Sequence, residues 1–126
     1  MTSIAHVGHG YWGRNLARNF FELDHLAAIV DPNPNAAKQA AEAYGVRAAS
    51  FDEVLSDPAI DGVSIASPAG QHFAQATAAI EAGKHVYVEK PLALDVSEAQ
   101  RLCALAEARG RILMVGHLLQ YHPCYL

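Results

Sequence analysis

The sequence predicts an α/β fold in which a parallel sheet is doubly wound, with helices on both faces. Two observations carry this prediction. Short apolar segments alternate along the chain with longer alanine-rich segments of helical spacing, and a glycine-rich turn follows the first apolar segment. Such alternation is typical of βαβ units around a parallel sheet. With 126 residues, 52% of them hydrophobic, the chain can bury one core, so we expect one domain over residues 1–126.

The first two βα units are well delimited. The apolar strand 4–7 runs directly into the glycine turn and a helix over 12–23. The second strand, 26–30, ends at an Asp-Pro-Asn-Pro turn. The helix that follows, 34–44, has proline at its start and Gly45 just past its end, which is the usual asymmetry of helix ends.

The middle of the chain contains shorter elements. Residues 46–49 are compatible with a short third strand. The sequence SFDE from Ser50 to Glu53 has the spacing of a capping box and predicts a short helix to about Leu55. A fourth strand, 62–66, ends where Ser67-Pro68 interrupts the apolar run.

The last third repeats the pattern. A helix over 69–82 precedes the strand 85–88. Ser97 with Gln100 has the spacing of a further cap, and the helix it opens ends at Gly110. The strand 112–115 is the sixth. Six strands with intervening helices predict a Rossmann-type, dinucleotide-binding sheet.

Composition excludes several classes of partner. The net charge is −4 and the Lys and Arg residues are scattered, so no basic surface is left for a nucleic acid. Cys103 and Cys124 lie far apart and outside any C-x-x-C arrangement, which fits reduced thiols rather than a zinc site or a disulfide framework. We find no signal-peptide pattern and no apolar run of membrane-spanning length. We therefore expect a cytoplasmic protein without nucleic-acid or membrane partners.

The segment GHGYWGRN carries three glycines at the spacing G-x-G-x-x-G, directly after a strand and at the start of a helix. In that context Gly8 permits a tight turn, Gly10 the close approach of a pyrophosphate, and Gly13 the close packing of helix on strand. The backbone N–H groups of Tyr11 and Trp12, in the first helical turn, would face the phosphates.

An acidic residue at the end of the second strand completes the dinucleotide fingerprint, and Asp31 occupies that place. Its carboxylate can accept hydrogen bonds from ribose hydroxyls and would repel a 2′-phosphate. No arginine follows it among Pro32, Asn33 and Pro34. NAD is therefore favoured over NADP. The alternative is that Asp31 only begins an Asp-Pro turn.

Polar residues also follow three later strands, at the edge of the sheet where ligands bind in this class of fold. They are Ser67, Pro68 and His72 after the fourth strand, Glu89, Lys90 and Pro91 after the fifth, and Gly116 and His117 after the sixth. We expect them to converge on the nicotinamide side of the cofactor, with His72 near the nicotinamide and His117 near the substrate. Taken alone, Lys90 could also be a solvated lysine paired with a neighbouring glutamate.

The other histidines predict no metal site. His6, His25 and His85 lie within or beside strands and have no acidic or cysteine partner at ligand spacing, so we interpret them as packed or surface residues. His9 fills a position that the glycine motif leaves free.

These motifs together resemble the Gfo/Idh/MocA oxidoreductases, NAD(P)-dependent enzymes that act mainly on sugars, cyclitols and sugar nucleotides. The resemblance covers essentially the whole chain. It rests on GHGYWGRN, the turn at Asp31, SPAGQH from Ser67, AGKHVYVEKPLAL from Ala82 with its EKP, and VGHLLQYHP from Val115.

The resemblance implies that Lys90 is catalytic and also contacts substrate, and that Glu89 and the Ser67-Pro68 turn shape the nicotinamide site. It further implies a cis peptide bond before Pro91. The chemistry is consistent with this, since oxidation of an alcohol by hydride transfer needs a base for the hydroxyl proton, and the reverse reaction needs an acid.

Members of the family are longer and carry a C-terminal α+β domain with a large open antiparallel sheet, which forms most of the substrate pocket and the subunit interface. The resemblance therefore implies a homo-oligomer assembled through that domain. Two interpretations stay open: this chain is the cofactor-binding part of a longer enzyme, or it is a free-standing NAD-binding or sensing module without catalysis. We favour the first, and expect the chain as written to bind cofactor and to turn over poorly.

Overall fold

Strands and helices alternate from one end of the chain to the other. A computed structural model describes residues 2–116, with the backbone alone for Tyr11 and Trp12. The strands are β1 (Ile4–Val7), β2 (Leu26–Val30), β3 (Arg47–Ala48), β4 (Gly62–Ile65), β5 (His85–Glu89) and β6 (Leu113–Gly116). The helices are α1 (Tyr11–Glu22), α2 (Pro34–Tyr44), α3 (Phe51–Ser56), α4 (His72–Glu81) and α5 (Val96–Arg109), and a 3-10 turn (Ala69–Gln71) precedes α4.

The strands form one parallel sheet in the order β3-β2-β1-β4-β5-β6. From β1 the chain winds outwards to β3, returns to the middle of the sheet at β4, and then winds outwards to β6. The predicted doubly wound, Rossmann-type sheet is confirmed. In such a sheet the ligand crevice lies at the carboxyl ends of the two strands where the winding reverses, which are β1 and β4 here.

The sheet is covered on both faces. Along β2, Ala28 and Val30 belong to a core cluster shared with α3, α4 and α5, whereas Ile29 packs with Ala17 of α1 and Ala37 of α2. Alternate residues of one strand therefore enter different cores, which explains why β2 is continuously apolar. Within residues 2–116 no helix has the length and apolar content needed to cross a bilayer.

Most predicted helix termini, at starts and at ends, are confirmed. Ser50 and Glu53 form both hydrogen bonds of a capping box at the start of α3. Gly45 and Gly110 end α2 and α5 with φ of +68° and +64°, in the left-handed region that glycine adopts without a steric penalty.

Two predicted helix starts are wrong. The cap of α5 is Asp95, whose Oδ1 accepts a 2.7 Å hydrogen bond from the Glu98 nitrogen, whereas Ser97 already lies in the first helical turn. A carboxylate at this position also interacts favourably with the helix dipole. The segment predicted as a helix over 69–82 begins instead as a 3-10 turn, because the Gln71 nitrogen donates back three residues to the Pro68 oxygen.

A buried lysine links the segment before β4 to the start of β5. Lys84 is only 5% exposed, and its Nζ donates to the carbonyl oxygens of Asp57 at 2.6 Å and of Ile60 at 2.7 Å. A buried charge is tolerated when it is hydrogen-bonded, and these two acceptors fulfil that condition. Lys84 thus holds the α3–β4 connection against the start of β5.

Replacing Lys84 with methionine should therefore destabilise the domain. The Lys84→Met variant keeps a long apolar stem but loses two hydrogen bonds from a charged donor, so we expect the free energy of unfolding to fall by about 2–3 kcal/mol. The measurement is urea denaturation followed by circular dichroism. Lys38→Met on the exposed side of α2 is the matched control, and equal effects of the two substitutions would contradict this role of Lys84.

Candidate functional site

A crevice of about 640 Å³ opens at the carboxyl ends of β1 and β4, where the winding of the sheet reverses. Its lining comes from both halves of the sheet and from the start of α3. The lining residues are Val7, Gly8, Gly10, Val30, Asp31, Pro32, Ser50, Phe51, Ala66, Ser67, Pro68, Gln71 and Gln75. The structure thus brings the predicted glycine turn, the predicted acidic residue and the Ser67-Pro68 turn to a single cavity.

The glycine turn lies directly against the end of β4. Gly8 has φ +92°, and a Cβ at this position would lie 2.6 Å from the Ser67 nitrogen and 2.8 Å from the Ala66 oxygen. Its own nitrogen donates to the Val30 oxygen at 2.9 Å. Both the backbone conformation and the close approach therefore require glycine.

The other two glycines of the motif have different reasons. A Cβ at Gly13 would lie 1.9 Å from the Gly8 oxygen, so Gly13 lets α1 begin against the turn. A Cβ at Gly10 would meet no atom within 4 Å, and this residue borders the open crevice. Because the first N–H groups of a helix have no partner inside it, the start of α1 at Tyr11 leaves donors for an anion there.

A buried histidine in β1 contacts the glycine turn from within the protein. His6 Nε2 lies 3.0 Å from the Gly8 oxygen, and Nδ1 lies 3.1 Å from Ser64 Oγ. Burial lowers the pKa of His6 from 6.5 to about 4, although the contact with Gly8 raises it in part. The ring is therefore neutral at pH 7, with Nε2 donating to Gly8 and Nδ1 accepting from the Ser64 hydroxyl.

Sequence reasoning interpreted His6 as a packed or surface residue and missed this contact. The available signal was a polar side chain inside an otherwise apolar strand, two residues before the first glycine of the motif. A buried polar group of that kind needs a hydrogen-bond partner, and the turn is the nearest backbone outside the ladder of the sheet.

Asp31 holds two segments of backbone through its carboxylate. Oδ2 accepts from the His9 nitrogen at 2.8 Å, and Oδ1 accepts from the Asn33 nitrogen at 2.9 Å. Asp31 therefore joins the glycine turn to the start of the β2–α2 turn. The bond to Asn33 is the one that the Asp-Pro-turn alternative needs. Asp31 also lines the crevice. An ionised carboxylate accepts about four hydrogen bonds, so acceptor capacity remains for a ligand.

His9 lines a second, smaller pocket together with Arg14 and residues of α2. Burial, and then the neighbouring Arg14, lower the pKa of His9, and Asp31 opposes them. Within the part of the chain that the structure describes, its Nδ1 is buried without a hydrogen-bond partner. The lining of the main crevice does not include His9.

The second wall of the crevice is a chain of polar side chains. Ser67 Oγ donates to Gln75 Oε1, and Gln75 Nε2 donates to Gln71 Oε1 at 3.3 Å. Sequence reasoning did not select the two glutamines. Their spacing of four residues, directly after the Ser67-Pro68 turn, was the signal that both lie on one helical face.

Glu89 and Lys90 lie at the end of β5, one strand beyond β4 on the same edge of the sheet. Lys90 is exposed, and the Lys90–Pro91 peptide bond is cis, as the resemblance implied. Tyr87 Oη donates to Glu89 Oε1 at 3.4 Å. A Cβ at Gly116 would lie 2.5 Å from Tyr87 Oη and 2.8 Å from Glu89 Oε1, so glycine at the end of β6 leaves room for this pair.

His72 was predicted to contact the cofactor, but the structure places its side chain inside the protein. The side chain is 2% exposed, and its two ring nitrogens lie 2.7 Å from the main-chain oxygens of Ser67 and Pro91. Both nitrogens are thus occupied by backbone, because the first turn of α4 is packed between the two loops. His117 lies outside the described residues.

No group of three or more His, Cys, Asp or Glu side chains within residues 2–116 is arranged to hold a metal ion. The polar groups in the crevice are instead backbone N–H groups, one carboxylate and side-chain amides and hydroxyls. Such a set suits a ligand with phosphates and sugar hydroxyls.

Comparison with known families identifies the same fold. Residues 2–117 match the model of the GFO_IDH_MocA family, described as an oxidoreductase family with an NAD-binding Rossmann fold.

Two relatives with named activities are similar over most of this chain. It is 37% identical over 118 residues to the UDP-N-acetylglucosamine 3-dehydrogenase of Acidithiobacillus ferrooxidans. The matched region covers 93% of this chain and 37% of that protein. It is 36% identical over 102 residues to the scyllo-inositol 2-dehydrogenase (NAD(+)) of Bacillus subtilis, over 79% of this chain and 30% of that protein.

Solved structures agree. The Acidithiobacillus ferrooxidans enzyme superposes with a TM-score of 0.91 at 35% identity, over 98% of this chain and 40% of that one. The scyllo-inositol dehydrogenase of Lactobacillus casei, solved with NAD(H) and scyllo-inositol, superposes with a TM-score of 0.88 at 28% identity, over 99% of this chain and 38% of that one. The chain thus spans about two fifths of the length of these solved relatives.

The buried His6 predicts a pH dependence of stability. Its pKa of about 4 in the folded chain lies below 6.5, so the unfolded chain takes up the proton first as the pH falls. The contribution of His6 is complete above pH 6.5, and we expect roughly 3 kcal/mol of the unfolding free energy to be lost between about pH 6.5 and 4. Urea titrations of the wild type and His6→Val across this range isolate the effect. If the unfolding free energies of the two proteins change with pH by the same amount, this contribution of His6 is contradicted.

Proposed function

Because this chain belongs to the Gfo/Idh/MocA family of NAD-binding oxidoreductases, we propose that it is the cofactor-binding part of a dehydrogenase. The reaction is hydride transfer between NAD and a hydroxyl or carbonyl group of a sugar, a cyclitol or a sugar nucleotide. The observation that carries this proposal is the single crevice that the glycine turn, Asp31 and the Ser67-Pro68 turn share.

The residues of the crevice fit NAD. The open space beside Gly10, where a Cβ would meet nothing within 4 Å, leaves room for a pyrophosphate next to the donors of the first turn of α1. The remaining acceptor capacity of Asp31 suits ribose hydroxyls, and its negative charge disfavours a 2′-phosphate. Gly8, Gly10, Tyr11, Trp12, Gly13 and Asp31 would hold the adenosine and pyrophosphate half.

The nicotinamide half would lie towards β4 and β5. Ser67 and Pro68 line the crevice on that side, and Glu89 lies nearby at the carboxyl end of β5. His72 holds the Ser67 carbonyl from within the protein. When bound, NAD supplies the acceptor and donor of the hydride. The chain itself must position that cofactor and manage the proton that leaves or enters with the hydride.

Lys90 is our candidate for that proton. Its side chain is exposed directly after β5, on the same edge of the sheet as the crevice, so its Nζ can reach a substrate bound there. As the amine it accepts the hydroxyl proton during oxidation, and as the ammonium it returns a proton to the carbonyl oxygen during reduction. The substrate class comes from the named relatives, and substrate contacts by His117 stay a prediction, as do oligomerisation and a cytoplasmic location.

Gly10→Ala tests the cofactor half. The added Cβ projects into open crevice, so we expect the unfolding free energy to change by less than about 1 kcal/mol. The dissociation constant for NADH should nevertheless rise about tenfold or more, because the phosphates can no longer approach the turn. The measurement is titration of NADH fluorescence. Gly70→Ala, where a Cβ also meets nothing within 4 Å, is the matched control, and equal NADH affinity of both variants would remove Gly10 from the site.

Lys90→Ala tests the catalytic half and separates an enzyme from a binding module. In the protein that contains this chain, turnover of a sugar, cyclitol or sugar-nucleotide substrate should fall by about 10²–10⁴, the usual contribution of a positioned acid or base. The NADH dissociation constant should stay within about twofold of the wild type, since the exposed amine is not part of the pyrophosphate turn. Unchanged turnover would exclude Lys90 as the proton carrier. Lys38→Ala is the control for loss of a surface charge.

A further inference from the structure

We propose that His72 is a positioning residue that couples the glycine turn to Lys90, by holding the two loops between them through their main-chain carbonyls. The inference rests on the proposed function, because it assigns a role in the same site. It assigns to the His72 ring no contact with cofactor or substrate.

The geometry of His72 is that of a bridge between two loops. Nε2 lies 2.7 Å from the oxygen of Ser67, in the loop after β4, and Nδ1 lies 2.7 Å from the oxygen of Pro91, in the loop after β5. The ring is 2% exposed, so little water competes for either contact. Both contacts are at the short end of the range for N–H···O hydrogen bonds.

The chemistry of the two partners defines what the ring must supply. Carbonyl oxygens only accept hydrogen bonds, so both contacts are hydrogen bonds when both ring nitrogens carry a hydrogen. A ring used in this way has no nitrogen left for a ligand, which is why its role is to position backbone.

The same two loops connect to the cofactor turn. The Ser67 nitrogen would lie 2.6 Å from a Cβ at Gly8, so the backbone of Ser67 is in close packing with the glycine turn. On its other side the Ser67 carbonyl meets His72. A continuous series of contacts therefore runs from Gly8 through Ser67 and His72 to Pro91.

The end of this series is adjacent to the proposed proton carrier. Lys90 directly precedes Pro91, so a restraint on the Pro91 carbonyl also restrains the backbone from which the Lys90 side chain extends. Reacting groups lose about 10²-fold in rate when they are displaced by about 1 Å. His72 thereby fixes the position of Lys90 relative to a cofactor held by the glycine turn.

Three substitutions separate the two hydrogen bonds. The amide nitrogen of Asn stands two bonds from Cβ, like Nδ1 of histidine, so His72→Asn should keep the bond to Pro91 alone. The amide nitrogen of Gln stands three bonds from Cβ, like Nε2, so His72→Gln should keep the bond to Ser67 alone. His72→Leu removes both. Ile80→Ala, fully buried on the same helix, is the control for general destabilisation of α4.

The first readout needs no cofactor. In the chain without NADH, we measure the carbonyl ¹³C signals of Ser67 and Pro91 by NMR, together with scalar couplings across hydrogen bonds from the His72 ring in the wild type. We expect both couplings in the wild type, both carbonyl signals shifted in His72→Leu, and one signal restored in each of the amide variants. Missing couplings, or equal shifts in Ile80→Ala, would overturn the bridge even if His72→Leu fails to fold.

The second readout uses the cofactor. We expect the dissociation constant for NADH to rise roughly tenfold in His72→Leu, the equivalent of one lost hydrogen bond, with partial recovery in His72→Gln, and no change in Ile80→Ala. Unchanged affinity together with shifted carbonyl signals would overturn the coupling to the glycine turn. A wild-type chain that does not bind NADH would contradict the proposed function, while the carbonyl measurement would still decide the role of His72.

Discussion

Two main-chain segments pass within contact distance of each other at the centre of the sheet, and the rest of the site depends on this approach. The turn after β1 lies against the end of β4, at the place where the winding of the sheet reverses. Only a residue without Cβ fits there, and Gly8 also needs a positive φ. Because the turn is packed on one side, its peptide groups need partners within the protein, and Val30 and His6 supply them. The opposite side stays open as the crevice. The same constraint therefore shapes the turn, selects its supporting residues and creates the space for a ligand.

Buried basic side chains that donate to main-chain oxygens recur in this domain. His6 donates to the glycine turn, His72 faces the loops after β4 and β5, and Lys84 donates to the segment before β4. The carbonyl groups that these side chains contact lie in segments before or after strands, outside the hydrogen-bond ladder of the sheet. An unpaired carbonyl in such a place costs more than the burial of a well-bonded polar side chain. Loop geometry at the carboxyl edge thus depends on His6 and His72, which do not themselves line the crevice.

The fold could be predicted almost entirely from the sequence, because it follows from local periodicity and from turn residues. All six strands were predicted, and the glycine turn and Asp31 were predicted to share one site, since a short motif and its spacing encode both. The errors concern choices that depend on three-dimensional neighbours. Ser97 was predicted as the cap of α5, whereas the backbone conformation makes Asp95 the cap. The position of the His72 ring likewise involves a carbonyl nineteen residues away, which no local pattern records.

Asp31 makes cofactor preference inseparable from the shape of the turn that it helps to build. Its two oxygens each receive a backbone N–H group, from His9 and from Asn33, in addition to any interaction with ribose. An evolutionary or engineered change towards a phosphorylated cofactor must remove the charge, yet every neutral replacement surrenders at least one of these acceptors. An amide offers a single oxygen, and a hydroxyl is too short to span both donors. Such a change therefore requires compensating substitutions in the glycine turn or after β2, so that selectivity in this scaffold evolves as a coupled set of residues.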